Sequence, residues 1–347
     1  MNRNIRNPVA WLRGLAVIGL AVFGVCNAVA APEADGRMKV TLVGTGGPEI
    51  SPTRFGYATL VEAGGQKLLF DAGRGVVQRL YESRVNPKDV TKVFLTHLHN
   101  DHIEGLPTLW ITPWFLLARE QTLSIWGPEG TTEMIAGMRA MFSDVKKRGG
   151  VNGFNKIEYM NIAVTELKEG VVYEQGKLKV TAFRVSHGDG DPAFGYKIEF
   201  GARKLVLSGD TIYSQKVVEA ARGADLLVHN VVGFSDVWMA RPGAEKHRAS
   251  VAGKLASPDQ VARVFKESAP RLAAISHIVK KDLSGASGDQ FIVQQVRKNG
   301  YAGPLLMGED RTVIDISDAG IKIIPPQPTD DLPDLDNRLV DLTQHAH

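Results

Sequence analysis

The chain predicts an α/β protein in which two sheets lie between layers of helix. Two observations carry this reading. Short apolar runs that read as strands are followed by helical patterns in both halves of the chain, and His and Asp residues stand directly after several of those runs. At 347 residues the chain is long enough for one large domain with an ample core. Its 44% hydrophobic and 23% charged residues place it among soluble globular proteins.

Met38–Val43, Ala58–Glu62 and Lys67–Phe70 read as a strand meander with glycine-rich turns. Gly75–Ser83 reads as a helix and Val93–Leu95 as a buried strand. Leu106–Leu117 is apolar but holds Pro107 and Pro113, so a broken, buried helix is expected. Leu123–Trp126 reads as a strand and Thr131–Phe142 as a helix. Lys146–Lys156 reads by composition as a flexible loop. Further strands are expected at Leu178–Val185, Ala193–Phe200, Lys204–Leu207 and Leu226–Val228, with a helix at Ser214–Ala221. Pro258–Glu267 has Ser257 as its cap and proline at its first position. Asp289–Lys298 reads as another helix. The proline- and aspartate-rich tail from Pro325 reads as extended or disordered.

The densest chemistry lies in Thr96-His97-Leu98-His99-Asn100-Asp101-His102. His97 and His99 stand two apart at a strand end, where side chains two apart project to one side. Imidazole nitrogen with carboxylate oxygen suits zinc and its neighbours. Four ligands this close point to two metals rather than one. His187 follows Leu178–Ser186, His277 follows Arg271–Ser276, and Asp210 follows Lys204–Gly209. Ligands at the carboxyl ends of several strands converge on one sheet edge.

These residues resemble the metallo-β-lactamase superfamily. His97-x-His99-x-Asp101-His102 matches its H-x-H-x-D-H signature, Asp71 its upstream aspartate, and His187, Asp210 and His277 its remaining metal motifs. The resemblance spans nearly the whole chain after residue 30. Within the superfamily the chain is similar to the branch holding ribonuclease Z and a group of secreted arylsulfatases. The carriers are Leu42–Pro48, Asp225–Asn230 and Gly308–Arg311. Two positions depart from the branch. Asn230 stands where ribonuclease Z has Glu, and Leu255 stands where the branch tends to place a His. The nearest histidine to that place is His247.

The resemblance implies a four-layer αββα sandwich. It assigns His97, His99 and His187 to one metal, Asp101, His102 and His277 to a second, and Asp210 as the bridge. Two zinc ions are expected, with iron or manganese accepting the same donors. A metal-bridging hydroxide would be the nucleophile, with Asp101 as its proton acceptor. Asp71 would orient a ligand imidazole, or else form the turn before Ala72-Gly73. His229 is a candidate for supporting the departing group, a core histidine being the alternative. His247 is the other catalytic candidate. Trp110, Trp114 and Phe115, or Phe234 and Trp238, would line an aryl pocket or pack in the core.

Residues 1–30 read as a secretory signal peptide: Arg3, Arg6 and Arg13, an apolar stretch over 12–25, and Ala28-Val29-Ala30 before Ala31. A domain over 31–324 and a tail over 325–347 follow. The expected location is periplasmic or secreted, with no lasting membrane association. The sole cysteine, Cys26, falls in the leader, so the remainder forms no disulfide. The chain carries 41 basic and 38 acidic residues, and loss of the three leader arginines leaves a net charge near zero. That balance, the leader, and the 23 positions from His187 to Asp210 argue against tRNA. The branch's tRNA-clamping arm would lie in that interval. The expectation is a small-molecule ester substrate, aryl sulfate first, with no nucleic-acid partner. Phosphodiesters or lactones are the alternatives.

Overall fold

The computed structural model describes residues 36–148 and 155–335, so the expected leader, Cys26, most of the glycine-rich loop, His345 and His347 lie outside the described residues. In chain order the first strands are β1 (Met38–Gly44), β2 (Ala58–Ala63), β3 (Gln66–Phe70), β4 (Lys92–Phe94), β5 (Leu123–Gly127) and β6 (Ile162–Glu166). Then come β7 (Gly170–Gln175), β8 (Leu178–Val185), β9 (Ala193–Phe200), β10 (Arg203–Leu207), β11 (Leu226–Phe234), β12 (Leu272–Lys281) and β13 (Leu305–Met307). The last two, β14 (Thr312–Ser317) and β15 (Gly320–Ile324), return to the first sheet. The eight-stranded sheet runs β15-β14-β1-β2-β3-β4-β5-β6, and the seven-stranded one β13-β12-β11-β10-β9-β8-β7.

Helices connect these strands: α1 (Val76–Glu82), α2 (Asn100–Ile103), α3 (Leu106–Leu117), α4 (Thr131–Met141), α5 (Ser143–Arg148), α6 (Gln215–Ala221), α7 (Asp236–Met239), α8 (Ala244–Ala252), α9 (Pro258–Ser268) and α10 (Gly285–Lys298). Alternation along each strand builds the layers, because successive side chains face opposite sides. Leu68, Phe70 and Phe94 pack against Leu205, Leu207 and Val228 in a core between the sheets. Their neighbours Leu69, Val93 and Leu95 face the other way, onto Val76, Leu80 and Leu109 of α1 and α3. Val206, Leu227 and Ala273 turn outward onto Val217, Val261 and Ile292 of α6, α9 and α10. These three cores give the expected αββα order.

Some sequence expectations change. α3 is unbroken across Pro113. Proline offers no N–H to the carbonyl four residues back, and the buried Arg119 supplies the missing donor, Nη1 to the Leu109 carbonyl at 3.2 Å. Lys146–Arg148 close a short helix rather than opening a loop. His247 lies in α8, not in a polar loop. The tail over 325–335 lacks strand and helix, and Arg84 ties it down through Asp331 at 2.7 Å. Trp110 and Trp114 are core residues: both rings are buried, and both indole N–H groups donate to backbone carbonyls, of Met160 and Lys156.

Candidate metal centre

The site begins where β4 ends. Asp71 follows β3 with a left-handed backbone (φ 59°) that turns its carboxylate under the adjacent loop. It accepts from the Thr96 amide (2.8 Å), the Thr96 hydroxyl (2.8 Å) and His102 Nδ1 (2.8 Å). With the Thr96 hydroxyl donating to Asp71, His97 Nδ1 donates to that hydroxyl at 2.9 Å. Both rings therefore turn Nε2 to the same space, and neither nitrogen has a hydrogen-bond partner. His187 is set likewise, its Nδ1 donating to the Lys254 carbonyl at 2.7 Å.

The carboxylates close the cluster. Asp101, on α2, lies 3.1 Å from His277 Nε2. Asp210, after β10, reaches His277 (3.3 Å), His102 (3.5 Å) and His187 (3.7 Å) with one oxygen, and its other oxygen is buried without a partner. Three triads have donor atoms within 4.8 Å of one another: His97, His99 and His187; His97, His102 and Asp210; Asp101, His102 and His277. All seven residues read as ligands from the sequence meet here. Buried nitrogens and a carboxylate oxygen with no protein partner, in a cluster drawn from four segments of the chain, are the arrangement a pair of divalent cations fits.

Charge coupling runs through the cluster. Burial opposes the ionised form of Asp210, but the imidazoles of His277, His102 and His187 outweigh it and hold the carboxyl below its ordinary value. Burial likewise works against Asp101, and the His277 hydrogen bond with His102 nearby holds that carboxyl well down. Burial and neighbouring imidazoles push His97 well below the usual imidazole value.

The first-strand glycine turn forms one wall. Asp310 accepts from the Thr45 amide (2.9 Å), the Thr45 hydroxyl (2.7 Å) and the Phe55 amide (2.7 Å), which pins that turn beside the ligands. A Cβ on Gly47 would lie 2.6 Å from Val279 Cγ2 and 3.4 Å from His277 Cε1, so only glycine lets the turn pass. Tyr57, which the sequence reading missed, is buried with its ring 5.5 Å from that of His102 and 5.6 Å from that of His277. The cleft above is lined by ligands together with Glu49, Val251, Lys254, Leu255, Val279 and Lys281.

The two remaining candidates stand elsewhere. His229 is fully buried on β11, its Nδ1 donating to the Asn230 carbonyl (2.9 Å) and its ring edge-on to Phe265. Burial pushes its pKa down to about 4. His247 is exposed on α8 with its ring 5.4 Å from Trp238. Neither histidine, and neither Phe234 nor Trp238, is among the residues lining the cleft.

Two sheets between helices, with this His and Asp cluster at their edge, define a metallo-hydrolase of the metallo-β-lactamase fold. Residues 38–239 match the family described as Anti-Pycsar protein Apyc1, and the chain belongs to that family. A ribonuclease Z of Mycolicibacterium paratuberculosis is 30% identical over 280 residues, covering 79% of this chain and 96% of the relative. One of Mycobacterium marinum is 37% identical over 202 residues, 56% of this chain and 71% of the relative. Among solved structures, the metallo-β-lactamase fold protein YhfI of Bacillus subtilis superposes with TM-score 0.61 at 19% identity, covering 80% of this chain and 99% of the other. Human tRNase Z, short form, does so with TM-score 0.59 at 24% identity, covering 80% and 98%.

These relatives correct one expectation. The exclusion of a nucleic-acid partner does not stand beside a ribonuclease Z relative matched over nearly its full length. The charge argument failed because a net charge averages the whole surface. It is blind to how charge is distributed over that surface.

Proposed function

We infer that the protein is a metal-dependent phosphodiesterase acting on a nucleic-acid or nucleotide substrate. The observation that carries this is the intact seven-residue ligand set in a chain whose ribonuclease Z relative aligns over 96% of its length. Divalent ions bound there would polarise a phosphoryl oxygen and make hydroxide available at neutral pH.

The chain's own residues supply the rest. Asp101 lies at the edge of the cleft, ionised, and accepts the proton of the attacking water. Asp71, Thr96 and the Lys254 carbonyl fix the tautomers of His102, His97 and His187. Lys254 and Lys281 stand at the cleft, paired with Asp189 and Glu49 at 2.6 Å each. Val251, Leu255 and Val279 give it one apolar wall, suited to a ribose or base.

The aryl-sulfate reading loses its structural support, since Trp110 and Trp114 are spent in the core and, among the described residues, no aromatic ring other than the histidines lines the cleft. The interval from His187 to Asp210 is filled by a short turn, β9 and β10. A substrate is therefore gripped by the cleft walls, not by an arm from that interval. The test is one assay of metal-loaded protein against a short RNA with a 3′ extension, a 3′,5′-cyclic nucleotide, bis(p-nitrophenyl) phosphate and p-nitrophenyl sulfate. Phosphodiesters should turn over at least tenfold faster than the sulfate. Faster sulfate hydrolysis would return the assignment to an arylsulfatase.

A further inference from the structure

The four histidines nearest the first metal position are not held alike. His97, His102 and His187 are buried, and each has a firm partner behind its ring. His99 has 36% of its side chain exposed. Its Nδ1 faces the site, 3.1 Å from His187 Nε2, which turns Nε2 outward. There it meets Asp189 Oδ1 at 3.7 Å. The other Asp189 oxygen accepts from the Lys254 ammonium at 2.6 Å. The same Lys254 holds His187 through its carbonyl.

The turn bearing Asp189 is built around these rings. Gly188 has a left-handed backbone (φ 65°), and a Cβ there would lie 3.3 Å from Lys254 Cγ. A Cβ on Gly190 would lie 2.2 Å from His187 Cδ2 and 2.9 Å from His99 Cε1. The turn therefore presses on both imidazoles, and only glycine at 190 lets it.

We propose that Lys254 and Asp189 form a strap that positions His99 and His187 together, and that this strap sets the affinity of the first metal site independently of the second. Lys254 works twice, by its carbonyl on one ring and by its ammonium, through Asp189, on the other. A carboxylate behind a ligand imidazole raises its basicity and fixes its orientation, and loss of such a partner costs about 10–100-fold in metal affinity. The second position is served by Asp71 and by buried ligands that the strap does not touch. Lys254 and Asp189 are positioning residues: they act on the metal through the two histidines.

The inference rests on the metal reading of the site and not on any substrate. Its test is zinc titration of stripped protein by calorimetry, with elemental analysis after dialysis. The wild type should take two zinc ions per chain. In Lys254→Met, which keeps the main-chain carbonyl, and in Asp189→Asn, one site should weaken about 10–100-fold and the other hold its affinity. Lys254→Arg should restore most of the loss, and circular dichroism with melting temperature verifies the fold of each variant. Asp71→Asn is the contrast: it loosens His102 directly and His97 through Thr96, and should weaken both sites. Two unchanged affinities in both strap variants would overturn the proposal, as would equal loss at both sites. A wild type that binds no zinc would instead overturn the metal centre itself.

Discussion

At the scale of single residues, Asp101 bears the most chemistry. It contributes a donor to one triad and the carboxylate best placed to take a proton. Asp101→Ala should lower turnover of every phosphodiester by roughly 10²–10⁴-fold while leaving the melting temperature of metal-free protein nearly unchanged. Activity retained within tenfold would count against its role. His229 gives a different prediction. It is neutral in the fold, with a pKa of about 4 against 6.5 for a free imidazole. A depressed pKa adds stability that is complete above the unfolded value and is lost as pH falls through 6.5 toward 4. That amounts to about 3 kcal/mol. Urea unfolding of chelator-treated protein at pH 7 and pH 4.5 should show a smaller acid loss in His229→Gln than in wild type. An identical loss would mean that His229 is not the buried neutral group described here.

The His and Asp cluster was legible in the sequence for a physical reason. Metal ligation demands few residue types, at strand ends, in tight spacing, and His97-x-His99-x-Asp101-His102 meets all three demands. Asp189 and Lys254 were not legible. A main-chain carbonyl behind a ring leaves no mark in the residue types, and Asp189 reads as one more loop carboxylate.

At the scale of elements, β8 and β9 were read to the residue because alternation marks them, whereas β14, which alternates as well, was not read and β11 was read only as far as Val228. Edge strands escaped. β7 is largely exposed and β13 half-buried throughout, so neither shows a periodic signal. α8 escaped for the same reason, having only Ala244 buried. β12 was seen as far as Ser276, where the left-handed His277 (φ 50°) interrupts the pattern before the strand resumes. The unbroken α3 makes a prediction at this scale. Arg119→Ala should destabilise the protein by about 2–4 kcal/mol, since it strands the carbonyls of Leu109, Gln121 and Tyr159. Adding Pro113→Ala restores an N–H for the Leu109 carbonyl and should recover about 1 kcal/mol. Additive losses in the double variant would show that Arg119 does not act as the substitute donor.

At the scale of the whole molecule, two layers of sheet carry every ligand loop to one edge, so the centre is a property of the assembled fold and not of one segment. The Asp71 carboxylate joins β3 to the loop after β4, and Asp210 ties the second sheet to the first. The reading of residues 1–30 as a leader makes its own prediction: protein expressed with them should be recovered outside the cytoplasm, beginning near Ala31. Intact Met1 on cytoplasmic protein would contradict it. The central claim is that seven residues from both sheets hold two metals that phosphodiester cleavage requires. It is tested most directly by measuring metal content and bis(p-nitrophenyl) phosphate hydrolysis on the same samples during chelation and zinc restoration. About two metals per active chain, with activity falling and returning as they leave and rebind, is the predicted result. Full activity with one metal or none would contradict the account.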